Sequence, residues 1–333
     1  MTDMKKRHNV IPVLLCRRLD NNFANLCHEN DIQIMSQRFY SWTMGGTDCI
    51  SRLKGKVKNF LNNFYCNKKV FNLLSSYHFD LVHSNAFPCN MGDIIAEHFS
   101  LPHVWHLREF GEDDISTYYS LPYDYVRSRY ARADAVVAIS HAVYDSYVNE
   151  RKLCKPENTK VIYNGVKIPE EYAKKNPDAN NISFCITGRI APGKNLEMAV
   201  HACAKLKTLG DKFTLNLIGG VQSVQCEHYA ETLRNLIHSC RVDDCVKFWG
   251  FRSDVNEILR DMDIGLMLSK REAFGRVTVE YMLNYMPVIG VNTGATPEIV
   301  IDDETGYICP IDDSEKLAEL MHKFITNPEL ITS

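Results

Sequence analysis

At 333 residues, 45% hydrophobic and 24% charged, the chain has globular composition and room for two ordinary domains. Its net charge of -3 leaves no nucleic-acid footprint, no apolar run approaches the length of a membrane span, and Met1-Thr-Asp-Met-Lys-Lys-Arg-His8 lacks the apolar core of a signal peptide. The 12 cysteines are scattered with no C-x-x-C pair, which reads as reduced thiols of a cytoplasmic protein rather than a disulfide framework or a zinc site.

Met1 to Arg7 reads as the end of a helix. Strands are predicted at Val10–Cys16, Leu81–His83, His103–His106, Ala135–Ile139 and Lys160–Tyr163 in the first half. In the second half they are predicted at Ile182–Ile186, Phe213–Ile218, Val246–Trp249, Ile264–Leu268 and Val288–Val291. Helical patterns fill the gaps, among them Leu196–Leu209, Tyr229–Cys240 and Ser314–Ile325. This alternation predicts an α/β protein with two parallel, doubly wound sheets. Ligands would sit at the carboxyl ends of strands, in a cleft where the two domains face each other. The polar, proline-containing run from Lys167 to Asn181 reads as the connection, so the domains are predicted over 1–166 and 167–333. A doubly wound domain normally opens with a strand and a glycine-rich turn. Neither precedes Val10–Cys16, so the first strand of the amino-terminal domain is expected to be missing.

One segment is locally basic: Arg52, Lys54, Lys56, Lys58, Lys68 and Lys69 interleave with Val57, Phe60, Leu61, Phe64 and Tyr65. Helical spacing puts the apolar set largely on one face. An ordinary amphipathic surface helix is the simpler reading. Peripheral contact with an anionic surface, at the inner face of a membrane, is the sharper one.

Gly188-Arg-Ile-Ala-Pro-Gly-Lys-Asn195 falls between a strand and a helix and is close to the phosphate-binding pattern G-x-x-x-x-G-K-[ST]. Asn195 stands where a magnesium-holding Ser or Thr would be, and no strand ending in a second magnesium ligand is evident. Arg189 and Lys194 therefore read as two cations gripping a diphosphate without a metal. A solvated turn with surface charges is the bland alternative.

Two glutamates eight residues apart, Glu272 and Glu280, mean little in a chain with 41 acidic residues. Their setting is specific. An apolar run from Ile264 leads in, Phe274-Gly275 supplies a turn, and a helical pattern runs from Val277 to Tyr285. A strand, a glycine turn and a helix N-terminus make a phosphate site, because free N–H groups and the helix dipole face the ligand. Glu280, about a turn inside the helix, would accept bonds from the two hydroxyls of a ribose. Glu272, ahead of the turn, would face the group beyond the phosphates, where sugar hydroxyls are natural partners. The alternatives are a solvated helix residue for Glu280 and a helix cap for Glu272.

The series Arg189…Lys194, Gly219-Gly220, Phe248-Trp-Gly-Phe-Arg252, Glu272-Ala-Phe-Gly…Glu280 and Asn292-Thr-Gly-Ala-Thr-Pro-Glu298 resembles the retaining glycosyltransferases of family 4, most strongly from about Val161 to Pro310. The resemblance implies the GT-B fold of two facing Rossmann-like domains. It implies transfer of a sugar from a UDP- or GDP-sugar to a hydroxyl of a sugar or lipid-linked glycan, in surface polysaccharide or glycolipid biosynthesis. No cofactor and no metal are implied. By this resemblance Glu272 contacts the donor sugar, Glu280 the ribose, and Arg189 and Lys194 the pyrophosphate. Backbone N–H groups near Phe274, Gly275, Arg276 and Val277 would complete the phosphate site, and residues around Gly250, Phe251 and Arg252 would line the nucleobase pocket. Trp105-His-Leu-Arg-Glu-Phe-Gly111 looks like the family's segment carrying a histidine near the reacting sugar. That makes His106 a catalytic candidate beside Glu272, with Arg108, Glu109 and Asn85 on the acceptor side. A core histidine satisfied by backbone is the alternative for His106. The departure from the family is the missing first strand and its glycine-rich loop, which in relatives lies against the donor phosphates and the acceptor. Rival readings are a sugar-nucleotide epimerase, a magnesium-dependent nucleotidase, and a non-catalytic or fragmentary nucleotide-sugar-binding subunit.

Overall fold

The computed structural model describes residues 2–45, 49–61, 65–113, 117–168 and 177–332. Phe64 and most of the connection after Lys167 lie outside the described residues. The chain divides into two compact units, one of Met1–Ala138 with Tyr144–Val161, the other of Ile139–Val143 with Ile162–Ser333. Each is Rossmann-like, with parallel strands and intervening helices. Among the described residues no helix is long and apolar enough to cross a membrane.

The first unit holds β1 (Val13–Cys16), β2 (Gln33–Ser36), β3 (Thr43–Gly45), β4 (Val82–Asn85), β5 (His103–Leu107), β6 (Thr117–Tyr119), β7 (Ala135–Ala138) and β8 (Thr159–Val161). A four-stranded parallel sheet runs β4-β5-β7-β8, β1 and β2 form a separate parallel pair, and β3 and β6 pair antiparallel. Val13 and Leu15 of β1 and Val82 of β4 nevertheless pack on one apolar cluster, with Val70 and Leu74 of helix Asn67–Leu74 and Met91 and Ile95 of helix Met91–Phe99. The two sheets therefore share a core. Sequence alternation located β1, β4, β5, β7 and β8 to within three residues at each end. It missed β2, β3 and β6, which are short and carry no sustained apolar run.

The second unit holds β9 (Ile182–Thr187), β10 (Phe213–Ile218), β11 (Val246–Gly250), β12 (Ile264–Met267), β13 (Val288–Val291) and β14 (Gly306–Cys309), all parallel. Their order is β11-β10-β9-β12-β13-β14. Every residue of β12 and β13 is buried, as a parallel sheet covered on both faces requires. Helix Leu196–Leu209 turns Leu196, Val200, Cys203 and Leu206 into the core, the 3.6-residue stripe that made it legible in sequence. Strand order reverses between β9 and β12, and the carboxyl ends of two such strands are where an open α/β sheet presents its crevice. Helix Arg276–Leu283 is fixed beside that point by Tyr281, which is fully buried and accepts a 2.7 Å hydrogen bond from the Thr187 backbone N–H.

Tyr281→Phe leaves that N–H without its partner, so a loss of about 1–3 kcal/mol is expected in a denaturant titration; an unchanged midpoint contradicts the assignment. A second expectation concerns acid. His103 opens β5, is 3% exposed, and has Nε2 2.8 Å from Ser84 Oγ. Burial lowers its pKa from 6.5 to about 4, against the opposing pull of Asp134. The unfolded chain then takes up the proton first on acidification. This contribution to stability is complete above about pH 6.5 and is lost as pH falls toward 4. Urea midpoints of His103→Gln should accordingly fall less steeply across that window than those of the parent.

Candidate functional site

Two loops meet where the second sheet reverses. After β9 the chain runs through Gly188 and Arg189 into a 3-10 turn at Pro192–Lys194, and Asn195 takes a left-handed conformation before the next helix. After β12 it runs through Ser269 to Glu272. Lys194 joins them: its Nζ donates to Ser269 Oγ at 3.1 Å and to Glu272 Oε2 at 2.9 Å. The Lys270 backbone N–H adds a 3.0 Å bond to the Gly193 carbonyl. The Lys194–Glu272 pair is partly exposed, at 27% and 20%, so its own contribution to stability is on the order of 1 kcal/mol or less. Its consequence is positional, because it holds a cation and a carboxylate side by side at the crevice.

The backbone of Glu272 is held from a third loop. The Ala295 N–H donates to the Glu272 carbonyl at 2.8 Å, and Thr293 Oγ1 donates to the Ser269 carbonyl at 3.0 Å. Gly294 lies between them at φ +55°, where a Cβ would stand 2.3 Å from the Glu272 oxygen. The contact therefore requires glycine. A second glycine, Gly275 at φ +83°, makes the turn into helix Arg276–Leu283 and stands at its N-cap without a side-chain cap. The first N–H groups of a helix have no partner within it, so this end offers donors and the positive end of the dipole to an anion. Glu280 lies one turn in, paired with Arg276 at 3.2 Å.

Arg189 is exposed and has no ion pair or hydrogen bond among the described residues. Asn195, the departure from the nucleotidase pattern, is buried, and its Nδ2 donates to Asp312 Oδ1 at 3.1 Å, so its side chain is committed to packing. Gly250 ends β11, Phe251 is 77% exposed beside Gly220, and Arg252 is held by Asp254. These three share the carboxyl edge of the sheet with the loops of Lys194 and Glu272.

Residues to which sequence reasoning assigned no role support the turn at Phe274. The Phe274 ring is buried and lies 5.8 Å from that of Tyr163. Tyr163 donates to Glu298 Oε2 at 3.1 Å. The Glu298 carboxylate also accepts from the backbone N–H groups of His141 and Ala142, at 2.8 and 2.7 Å. The run Thr-Pro-Glu298 was a visible signal, but its partners lie more than 130 residues away in sequence. Ser269, two residues past the end of β12, was likewise passed over.

In the first unit Asn85 and His106 are cross-strand partners at the carboxyl ends of β4 and β5. Arg108 Nε donates to Asn85 Oδ1 at 2.6 Å, and Glu109 follows, half-buried. His106 stacks on His83, with centroids 5.5 Å apart and planes at 8°. Its Nε2 is buried with no hydrogen-bond partner among the described residues. Burial first, then the positive charge of Arg108, pushes its pKa down to about 4, so the ring is neutral at physiological pH. A neutral imidazole carries one donor and one acceptor nitrogen. Among the described residues no group of three or more His, Cys, Asp or Glu is placed to hold a metal ion.

Comparison with known proteins agrees with this architecture. The chain is 27% identical to the N-acetyl-alpha-D-glucosaminyl L-malate synthase of Bacillus anthracis over 62% of its own length and 54% of that protein's. It is 27% identical to a putative colanic acid biosynthesis glycosyltransferase of Escherichia coli over 44% of its length and 36% of that protein's. The chain thus spans about half, or less, of these curated relatives. The solved structure of Anabaena HepE in complex with UDP-glucose superposes with a TM-score of 0.74 at 22% identity, covering 99% of this chain and 86% of that one, which is a likeness of fold. Residues 14–168 match the model of Glycosyltransferase Family 4, and residues 167–332 match that of Glycosyl transferases group 1. Between them the two models cover residues 14–332, and the chain belongs to the glycosyltransferases of the GT-B fold.

Proposed function

We propose that the protein transfers a sugar, with retention of anomeric configuration, from a nucleotide-sugar to a hydroxyl acceptor in polysaccharide or glycolipid assembly. The observation that carries this reading is the convergence of Lys194, Glu272 and the N-terminus of helix Arg276–Leu283 at the point where the second sheet reverses. Breaking the bond between an anomeric carbon and a diphosphate develops negative charge on the leaving group and positive charge on the sugar. Lys194, Arg189 and the helix N–H groups stabilise the first. Glu272, drawn to the crevice by Lys194, receives hydroxyls of the sugar. Glu280 takes the ribose, and Phe251 offers a face to the base. Neutral His106, with Arg108, Asn85 and Glu109, belongs to the acceptor side. With two cations at the diphosphate, turnover proceeds without magnesium. Retention is the outcome implied by the resemblance to family 4. A nucleotide-sugar such as the UDP-glucose of the HepE complex fits this set of groups, and the name of the E. coli relative supports a polysaccharide setting.

One observation favours a second reading, a chain that binds the donor without turnover: the parallel strands of the first unit fall into two sheets, β1-β2 and β4-β5-β7-β8. Incubation with UDP-glucose and a panel of acceptors separates the readings. A glycosylated product with retained configuration supports transfer. Binding without product supports the second reading, and an epimerised nucleotide-sugar contradicts both.

Arg189→Ala and Lys194→Ala should each cut turnover by roughly 10²-fold, the scale of losing a preorganised donor, while a chelator leaves the parent rate unchanged; normal rates in both variants sink the phosphate assignment. Glu280→Ala should weaken UDP binding in calorimetry by about 2 kcal/mol, roughly 30-fold, through the loss of charged hydrogen bonds to ribose. An unchanged affinity removes Glu280 from the site.

A further inference from the structure

Helix Cys49–Leu61 is amphipathic in the reverse of the usual sense. Ile50, Leu53, Val57, Phe60 and Leu61 are 65, 64, 52, 68 and 42% exposed. At 3.6 residues per turn these five fall within an arc of about 100°. Gly55, on the far side of the helix from that arc, is buried. The helix therefore meets the protein with a small residue and turns its large apolar residues outward. A surface helix of a globular protein does the opposite, so the simpler reading of this segment from sequence does not hold. The apolar arc is bordered by exposed lysines, with Lys54 and Lys58 on one side and Lys56 on the other. Lys68 and Lys69 follow on the next helix, also exposed. From Cys49 to Phe79 the chain carries six Lys and Arg residues and no carboxylate, within a protein of net charge -3.

We propose that this helix lies in the plane of an anionic lipid bilayer surface, with its apolar arc in the headgroup–acyl boundary and its lysines among the lipid phosphates. The charge decides the occupant. A second copy of the chain seated on this face would bring the same cations against one another. An anionic surface attracts all of them at once, and lysine stems can lie along the apolar layer while their ammonium groups stay in water. A transferase so placed would meet a lipid-linked acceptor in two dimensions rather than three. The contact itself belongs to the first unit and does not depend on the donor chemistry.

Flotation of the whole chain with vesicles tests this. With equal parts phosphatidylglycerol and phosphatidylcholine at low salt the protein should float with the lipid, and with phosphatidylcholine alone it should stay behind. Raising the salt should release it, since such attraction is screened. The triple variant Lys54→Gln/Lys56→Gln/Lys58→Gln should partition roughly a hundredfold more weakly. Leu53→Gln/Val57→Gln/Phe60→Gln should lose binding while keeping the parent circular dichroism and melting temperature, because those side chains are exposed. Equal binding to neutral and anionic vesicles, salt-insensitive binding by the parent, or unchanged partition of both variants overturns the proposal. So does a parent that is dimeric by light scattering and binds neither vesicle.

Discussion

The ion pair between Lys194 and Glu272 spans the one place in the second sheet where strand order reverses. Much of the candidate site depends on it. β9 and β12 are neighbours at this reversal, and the loops that follow them bring polar groups together at the end of an otherwise apolar layer. A cation in the crevice needs hydrogen-bond partners, and Glu272 with Ser269 supplies them. A carboxylate there needs a fixed backbone, and Gly294 with the Ala295 N–H supplies that. The third requirement, a helix end that stays aimed at the crevice, is met from below by Tyr281 holding Thr187. Four loop or helix segments are thus fastened to one another by short polar contacts at the edge of a rigid sheet.

The second unit was largely legible in sequence because its central strands, β9, β10, β12 and β13, are largely buried and so read as mainly apolar runs. Phe213–Ile218 and Val288–Val291 carry the predicted bounds unchanged, as does helix Leu196–Leu209. The exception, Gly306–Cys309, is a short edge strand with only one neighbour. The site was legible where chemistry is local: the glycine turn before Arg276 and the cations after β9 announce themselves by spacing. It was illegible where partners are distant. Nothing near Glu298 in sequence reveals that it would hold His141, Ala142 and Tyr163, and nothing near Lys194 reveals Glu272 as its partner.

The first unit is built on different terms. Its paired strands are short, and its core leans on aromatic packing: Trp42 stacks on Trp105 at 5.4 Å, with Tyr130 tilted against both. Such a core places polar and ionisable residues along strand ends, so Asn85, His106 and Arg108 fall on one face at the carboxyl ends of β4 and β5. The cost of burying His106 is met by keeping it neutral. The reversed polarity of helix Cys49–Leu61 is a separate matter, since its large apolar side chains face away from this core.

A map of amide hydrogen exchange with and without UDP-glucose tests the central claim most directly, because an alternative location exists in the same unit. A cavity of about 390 Å³ lies at the amino ends of β13 and β14, lined by Met282, Tyr285, Pro287, Thr305 and Tyr307. If the reversal between β9 and β12 forms the donor site, ligand-dependent protection will appear in residues 188–195 and 269–280. Protection confined to residues 285–287 and 303–307, at the amino ends of β13 and β14 in the same sheet, would contradict the account.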